Sequence, residues 1–248
     1  MKKFFINASL FLATALFITS CGGNSSGLGG GDGIFGEIPG IYRNEIKKIA
    51  DDMKDIQEEV RDDQSAKGLE KALTALAMLR EAVEKAKEEA TPIADNMIGV
   101  DIDNTVAEGL PYKVDSFKIS KVTLPKMSMS GKLGGVRIKA DLTLVLTTPV
   151  EGRSFLVYYA ISDGNEDFYY GTASVQHPKI GLFEKNPVMP SGDILKTHCY
   201  LSEPEIPLEL IDKCNVIRFI SKDDYSSLSE ELKDKRKQWK KDAEKDWD

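Results

Sequence analysis

Residues 136–146 read VRIKADLTLVL, in which Val136, Ile138, Ala140, Leu142 and Leu144 alternate with Arg137, Lys139, Asp141 and Thr143. A period of two sends the apolar set to one face and the polar set to the other, the pattern of a half-buried strand. The same texture, rich in Val, Ile, Thr, Phe and Tyr, recurs in KVDSFKISKVTL, SFLVYYAIS, DFYYGTASV and NVIRFIS. Breaks carrying Gly and Pro separate these runs: SGKLGG, TPVEGR, SDGNED, HPKIG and KNPVMPSGD. Short strands joined by turns predict an antiparallel β-sandwich over residues 97–222. One short helix fits near PLELIDK at 207–213, where Pro207 suits a first helical turn.

Before this region the period changes. Tyr42, Ile46, Ile49, Met53, Ile56 and Val60 recur at steps of four and three, one stripe of a helix. Arg61-Asp62-Asp63-Gln64-Ser65 breaks the pattern. A second run then carries Leu69, Leu73, Leu76, Leu79, Val83, Ala86 and Ala90, and Pro92 marks its expected end. Two amphipathic stretches with a short polar break predict an antiparallel helical hairpin over 41–96. A last helix is expected within 223–248. Ser227-Leu-Ser-Glu230 has the capping-box pattern, and Leu228, Leu232, Trp239, Ala243 and Trp247 supply its apolar stripe against the sandwich or the hairpin.

The expected fold class is therefore α+β: a helical hairpin, an antiparallel sandwich and a C-terminal helix. The sandwich loosely resembles immunoglobulin-like domains in architecture, with no sequence hallmark of a named family.

The first residues, MKKFFINASLFLATALFITSC, place two lysines before an apolar segment that ends in small residues, the pattern of a secretory signal over 1–20. Ile18-Thr19-Ser20-Cys21 resembles the lipobox of bacterial lipoproteins. That resemblance implies diacylglycerol on the Cys21 thiol and a membrane anchor of two or three acyl chains. Residues 21–40, rich in Gly and Ser, are expected to be a flexible tether. Gly22 stands where an Asp would favour inner-membrane retention in some Gram-negative bacteria, so the resemblance points to the outer membrane, facing the periplasm. Loss of Lys2 and Lys3 with the leader takes the formal charge from −7 to about −9. A net acidic chain offers nucleic acid and anionic headgroups no overall attraction, so attachment is expected through the acyl chains, with an envelope protein as possible partner.

GVDIDNTVAEG, residues 99–109, resembles the nucleophile motif of haloacid dehalogenase-like phosphatases. The resemblance implies Asp101 as nucleophile, Asp103 as acid/base, and Asp223 and Asp224 as a magnesium-binding pair. That fold is an open parallel sheet, and parallel strands need crossovers, usually helices of ten or more residues. Residues 106–222 show none, and eight prolines from Pro111 to Pro207 are scattered through them. The motif is therefore expected to be a boundary turn, with Val100 and Ile102 seeking a core. Asp163, Asn165 and Asp167 are spaced like the start of a calcium loop, but Phe168 and Ser174 occupy the positions where the loop needs Gly and an acid. Gly164-Asn165 fits a hairpin turn instead.

Cys199 and Cys214, an even pair in an exported chain, are expected to form a disulfide closing a loop of about 15 residues; free buried thiols are the alternative. His177 and His198 stand in no metal spacing, so no metal or cofactor is expected. There is no Gly-x-Ser-x-Gly and no phosphate-cradling glycine loop. The expected function is non-enzymatic binding or scaffolding at the envelope, with a magnesium-dependent phosphatase using Asp101 and Asp103 as the alternative.

Overall fold

A computed structural model describes residues 33–62, 66–128, 133–181 and 183–245. The expected leader, Cys21, and Trp247 lie outside the described residues. The folded body starts earlier than the composition suggests. Ile34, Phe35 and Ile38 are buried, and the Ile34 N–H donates to the Cys214 carbonyl at 2.7 Å. The last part of the expected tether, 33–40, therefore belongs to the core.

Three helices follow: α1 (Ile38–Lys47), α2 (Ala50–Asp62) and α3 (Ala66–Asn96). The stripe from Tyr42 to Val60 predicts one helix where the structure has two. The chain turns at Lys48 and Ile49, where the Lys48 N–H donates to the Asn44 carbonyl at 3.2 Å and the Ile49 N–H to the Ile46 carbonyl at 3.1 Å. Tyr42, Ile46, Met53 and Val60 stay buried on both sides of the turn. On α3, Leu79, Val83, Ala86 and Ala90 pack as expected, but Leu73 is 58% exposed, and Ala72 and Ala75 lie against Ile56 and Val60. Alanine lets two helices approach closely, so the smaller residues take the seam. Helix α3 also runs through Pro92 to Asn96. Pro92 is exposed in the last turns, where the carbonyl it leaves without an N–H partner can turn to water.

The strands are β1 (Asn104–Val106), β2 (Tyr112–Thr123), β3 (Arg137–Leu146), β4 (Val150–Glu151), β5 (Ser154–Ser162), β6 (Asp167–Gln176), β7 (Val188–Met189), β8 (Ile194–Ser202) and β9 (Val216–Ile220). They form one sheet in the order β1-β9-β5-β6, a second in the order β2-β3-β8, and the short pair β4-β7. A short helix, α4 (Leu208–Ile211), follows β8, with Pro207 at its N-cap.

Among the described residues all strand pairings are antiparallel except β1 with β9, which is parallel with Asn104 opposite Ile217 and Val106 opposite Phe219. This corrects the expectation of a wholly antiparallel region. A parallel pair needs a long crossover, not necessarily a helical one; here the intervening chain supplies it by building the second sheet.

The inward residues of both sheets share one core. Phe117 of β2 meets Phe219 of β9 edge to face at 5.5 Å, and Tyr112 stacks on Phe155 of β5 at 5.9 Å. The Tyr159 hydroxyl on β5 donates to the Tyr200 carbonyl on β8 at 2.8 Å. Val136, Ile138, Ala140, Leu142 and Leu144 are all buried, as their alternation predicts.

The last helix, α5 (Lys222–Lys245), begins five residues before the predicted capping box. Its cap is Ser221, whose Oγ accepts the Asp224 N–H at 3.1 Å and donates to the Asp224 carboxylate at 2.7 Å. Ser227 sits inside the helix, bonding back to the Asp223 carbonyl. Leu228 and Leu232 pack on Ala160 and Ile220, flanked by Tyr158, Tyr170, Tyr225 and Trp239. Helix α5 thus covers the outer side of the β5–β9 sheet, and no element among the described residues covers the outer side of the second sheet.

Candidate interaction surface

On the open side of β2-β3-β8, the ladder register decides which side chains share a face. Lys118 pairs with Asp141 and, across β3, Asp141 with His198; Lys121 pairs with Lys139, and Lys139 with Tyr200. Lys118 and Lys121 are three residues apart, so simple alternation would put them on opposite faces. The register shifts between Ile119 and Lys121, and again between Val114 and Ser116. Each bulge absorbs one residue and keeps the lysines outward. Lys113, Lys118, Lys121, Arg137, Lys139 and Lys196 consequently stand on one uncovered face.

Three acids lie among them. Asp101 pairs with Lys118 at 3.3 Å, Asp141 accepts the Ser120 hydroxyl at 2.9 Å, and Asp115 is exposed at the first bulge. Lys113, Lys121, Arg137, Lys139 and Lys196 hold no ion-pair partner among the described residues. Tyr200, 60% exposed, meets His198 edge to face at 5.0 Å beside these cations. Net charge hid this surface, because a sum over the chain says nothing of where charges fall.

At the junction of helices and sheets the polar groups are buried instead. Glu203, just beyond β8, accepts the Val136 N–H at 2.9 Å and the Arg43 guanidinium at 3.3 Å; Arg43 also donates to the Ile206 carbonyl at 3.2 Å. Burial raises the Glu203 carboxyl above its ordinary range, against the lowering pull of the Val136 N–H and of Arg43. Tyr42 is pushed up to about 12 by burial and by the charge of Glu84. This cluster fastens α1 to the end of β8 and is largely shielded from solvent, with the Arg43 and Glu203 side chains 17% and 11% exposed.

The phosphatase-like residues do not converge. Asp101 is exposed beside Lys118, and the Asp103 carbonyl accepts the Ile217 N–H at 2.9 Å. Both precede β1, level with the start of β9, whereas Asp223 and Asp224 follow the end of β9. The parallel register sets the two pairs at opposite ends of these strands, on the order of 20 Å apart. Asp224 is also engaged in the cap of α5. Of the two apolar residues expected to seek the core, Ile102 is buried but Val100 is 50% exposed. Residues 99–102 hydrogen-bond along the edge of β2, the Val100 carbonyl accepting the Ile119 N–H and the Ile102 N–H donating to the Phe117 carbonyl, both at 2.9 Å.

Residues 163–166 form the hairpin turn between β5 and β6, with Gly164 at φ +93°. The Asp163 carboxylate accepts the N–H groups of Glu166 and Asn165 at 2.7 and 2.8 Å, which lower it below its ordinary range. Asp167 takes the Arg218 guanidinium at 3.0 Å, and Glu166 takes Lys235 at 2.9 Å. The carboxylates of the turn are thus already satisfied by the protein.

Cys199 and Cys214 are not joined; both are free and buried. This corrects the expected disulfide. Cys199 points into the sheet core from β8, opposite Ala140, whereas Cys214 follows α4, and its thiol donates to the Leu210 carbonyl at 3.4 Å. Burial pushes both thiols up to about 12. His177 bonds Asp193 at 2.8 Å, remote in sequence and setting from His198 on the open face. No group of His, Cys, Asp or Glu among the described residues is arranged to hold a metal.

No protein-family model, no curated protein and no solved structure matches this chain.

Proposed function

We propose that this chain is a bacterial lipoprotein, acylated on Cys21 and held at the envelope, whose folded body is a non-enzymatic binding or scaffolding module. The observation that carries the reading is Ile18-Thr19-Ser20-Cys21 at the end of a basic and then apolar leader. About 12 residues separate Cys21 from Gly33, so covalent geometry keeps the body within about 40 Å of the anchor. No helix among the described residues is long and apolar enough to cross a membrane, and acyl chains would supply the attachment. Outer-membrane attachment facing the periplasm belongs to the same proposal.

The finer architecture is part of it. Val60 beside Ala72 and Ala75, with Gly36 beside Ile93 and Met97, supports an antiparallel helical hairpin. The ring contacts between β2 and β9 support a two-sheet, immunoglobulin-like sandwich. Within that frame the open outer face of β2-β3-β8 is the binding surface.

Labelling cells with a radioactive fatty acid tests the anchor: the wild-type chain should incorporate label and Cys21→Ala should not. Equal incorporation by both would remove the lipoprotein reading. A phosphomonoester assay with magnesium tests the module, because turnover abolished by Asp101→Asn would make it a hydrolase.

A further inference from the structure

We infer that the outer face of β2-β3-β8 lies on an anionic phospholipid surface, binding its phosphate headgroups. The inference deepens the lipoprotein reading and rests on it for proximity alone: a body held by Cys21 is never far from headgroups.

Three features of the face argue for this occupant. First, the six cations named above outnumber the acids Asp101, Asp115 and Asp141 two to one, and among the described residues Lys118 alone of the six is paired. Second, Lys121 and Lys139 are opposed directly, with Arg137 two residues along the same strand and outward. Opposed like charges weaken a sheet, and a phosphate between them would relieve the repulsion. Third, the cations are spread over all three strands of an uncovered face, with no wall to guide a single chain. Such an array meets a planar lattice of phosphates better than it meets a linear peptide. Tyr200 and Ile194, 60% and 62% exposed on β8, add the amphipathic ring and aliphatic contact suited to a headgroup layer.

The chain's net negative charge does not oppose this. Exposed charges more than about 8 Å apart are largely screened at physiological ionic strength, so the local surplus on the face governs contact. The acids of the helices lie on other elements.

The test uses residues 21–248 with Cys21→Ser, so that no acyl chain contributes. Sedimentation is measured with vesicles of phosphatidylcholine alone and of phosphatidylcholine containing one-third phosphatidylglycerol. Binding to the anionic vesicles only, falling at least about tenfold between about 50 and about 300 mM salt, is the expected result. Lys121→Glu/Arg137→Glu/Lys139→Glu, which exchanges one like-charge pair for another, should lower that binding at least about tenfold while keeping the melting temperature close to the wild type. Lys85→Glu/Lys87→Glu on α3 should leave it unchanged. Equal binding to neutral vesicles, or equal loss in both variants, overturns the inference. Binding to soluble polyglutamate or dextran sulfate without vesicle binding overturns it too and gives the face to a soluble polyanion. Because the chain cannot be acylated, failure here leaves the fatty-acid result at Cys21 standing, and the reverse also holds.

Discussion

Lys121 and Lys139 stand directly opposite one another across the β2–β3 ladder, both outward and neither held in an ion pair among the described residues. Replacing one of them, as in Lys121→Glu, turns a repulsive cross-strand pair into an attractive one. The variant should gain up to about 1 kcal/mol in low salt, with the gain shrinking as salt is added. Urea unfolding at two ionic strengths reads this out. A fold that is stabilised by losing a lysine retains that lysine at a cost, as a binding face would.

Gly171 lies opposite Tyr159 in the β5–β6 register, and the Tyr159 ring lies over it. A methyl group at Gly171 would collide with that ring, whose hydroxyl is fixed on the Tyr200 carbonyl of the other sheet. Gly171→Ala should therefore cost about 1–3 kcal/mol, while Tyr159→Phe, losing one hydrogen bond, should cost about 1 kcal/mol. Chemical denaturation of the two variants checks the order; a silent Gly171→Ala would mean that the ring can move aside freely.

Glu203 gives the fold a pH dependence of definite sign. Burial raises its carboxyl above the ordinary 4.5, so the folded protein holds that proton more tightly than the unfolded chain. The stability it contributes is present below pH 4.5 and is lost as pH rises through the folded value. Arg43→Ala removes the cation that pulls this value down and should raise it further. The variant should lose about 3 kcal/mol at pH 8 and distinctly less at pH 5. Equal losses at the two pH values would show that Arg43 acts through packing alone.

With both thiols buried and pushed up to about 12, Cys199 and Cys214 should be inert to a thiol reagent in the native state. In a Cys21→Ser background, both should react once the chain is unfolded in denaturant, without prior reduction. The melting temperature should not respond to reductant. A mass two protons short, or a reductant-sensitive melt, would restore the disulfide.

The two candidate caps of α5 separate by mutation. Ser221→Ala removes the acceptor for the Asp224 N–H and should cost about 1 kcal/mol. Ser227→Ala, inside the helix and exposed, should change stability by less than about 0.5 kcal/mol. Thermal melts compare them directly.

The sequence points to Ser227-Leu-Ser-Glu230 as the cap, whereas the structure uses Ser221 with Asp224, because the end of β9 at Ile220 decides where the helix can start. Leu73 shows the same limit in the helices. Hydrophobicity selects it for the seam, but closeness of approach selects Ala72 and Ala75. The lack of helical crossovers set the phosphatase-like motif apart from its family's open parallel sheet, yet that reasoning missed the parallel β1–β9 pair, whose crossover is a sheet.

The sequence by itself determined the element types. Periods of two and of roughly three and a half are fixed by backbone geometry, and they separated the strand region from the helices and placed the inward face of β3 residue by residue. Only the tertiary structure decided what those faces meet. Two bulges in β2, one between Lys113 and Lys118 and one between Lys118 and Lys121, carried the three lysines to one side, because one unpaired residue inverts the alternation after it. Helix α5 covered one sheet and left the other open, because its leucines found Ala160 and Ile220. An acidic chain acquired a basic face through pairing register, which acts between strands and leaves no mark on either strand alone.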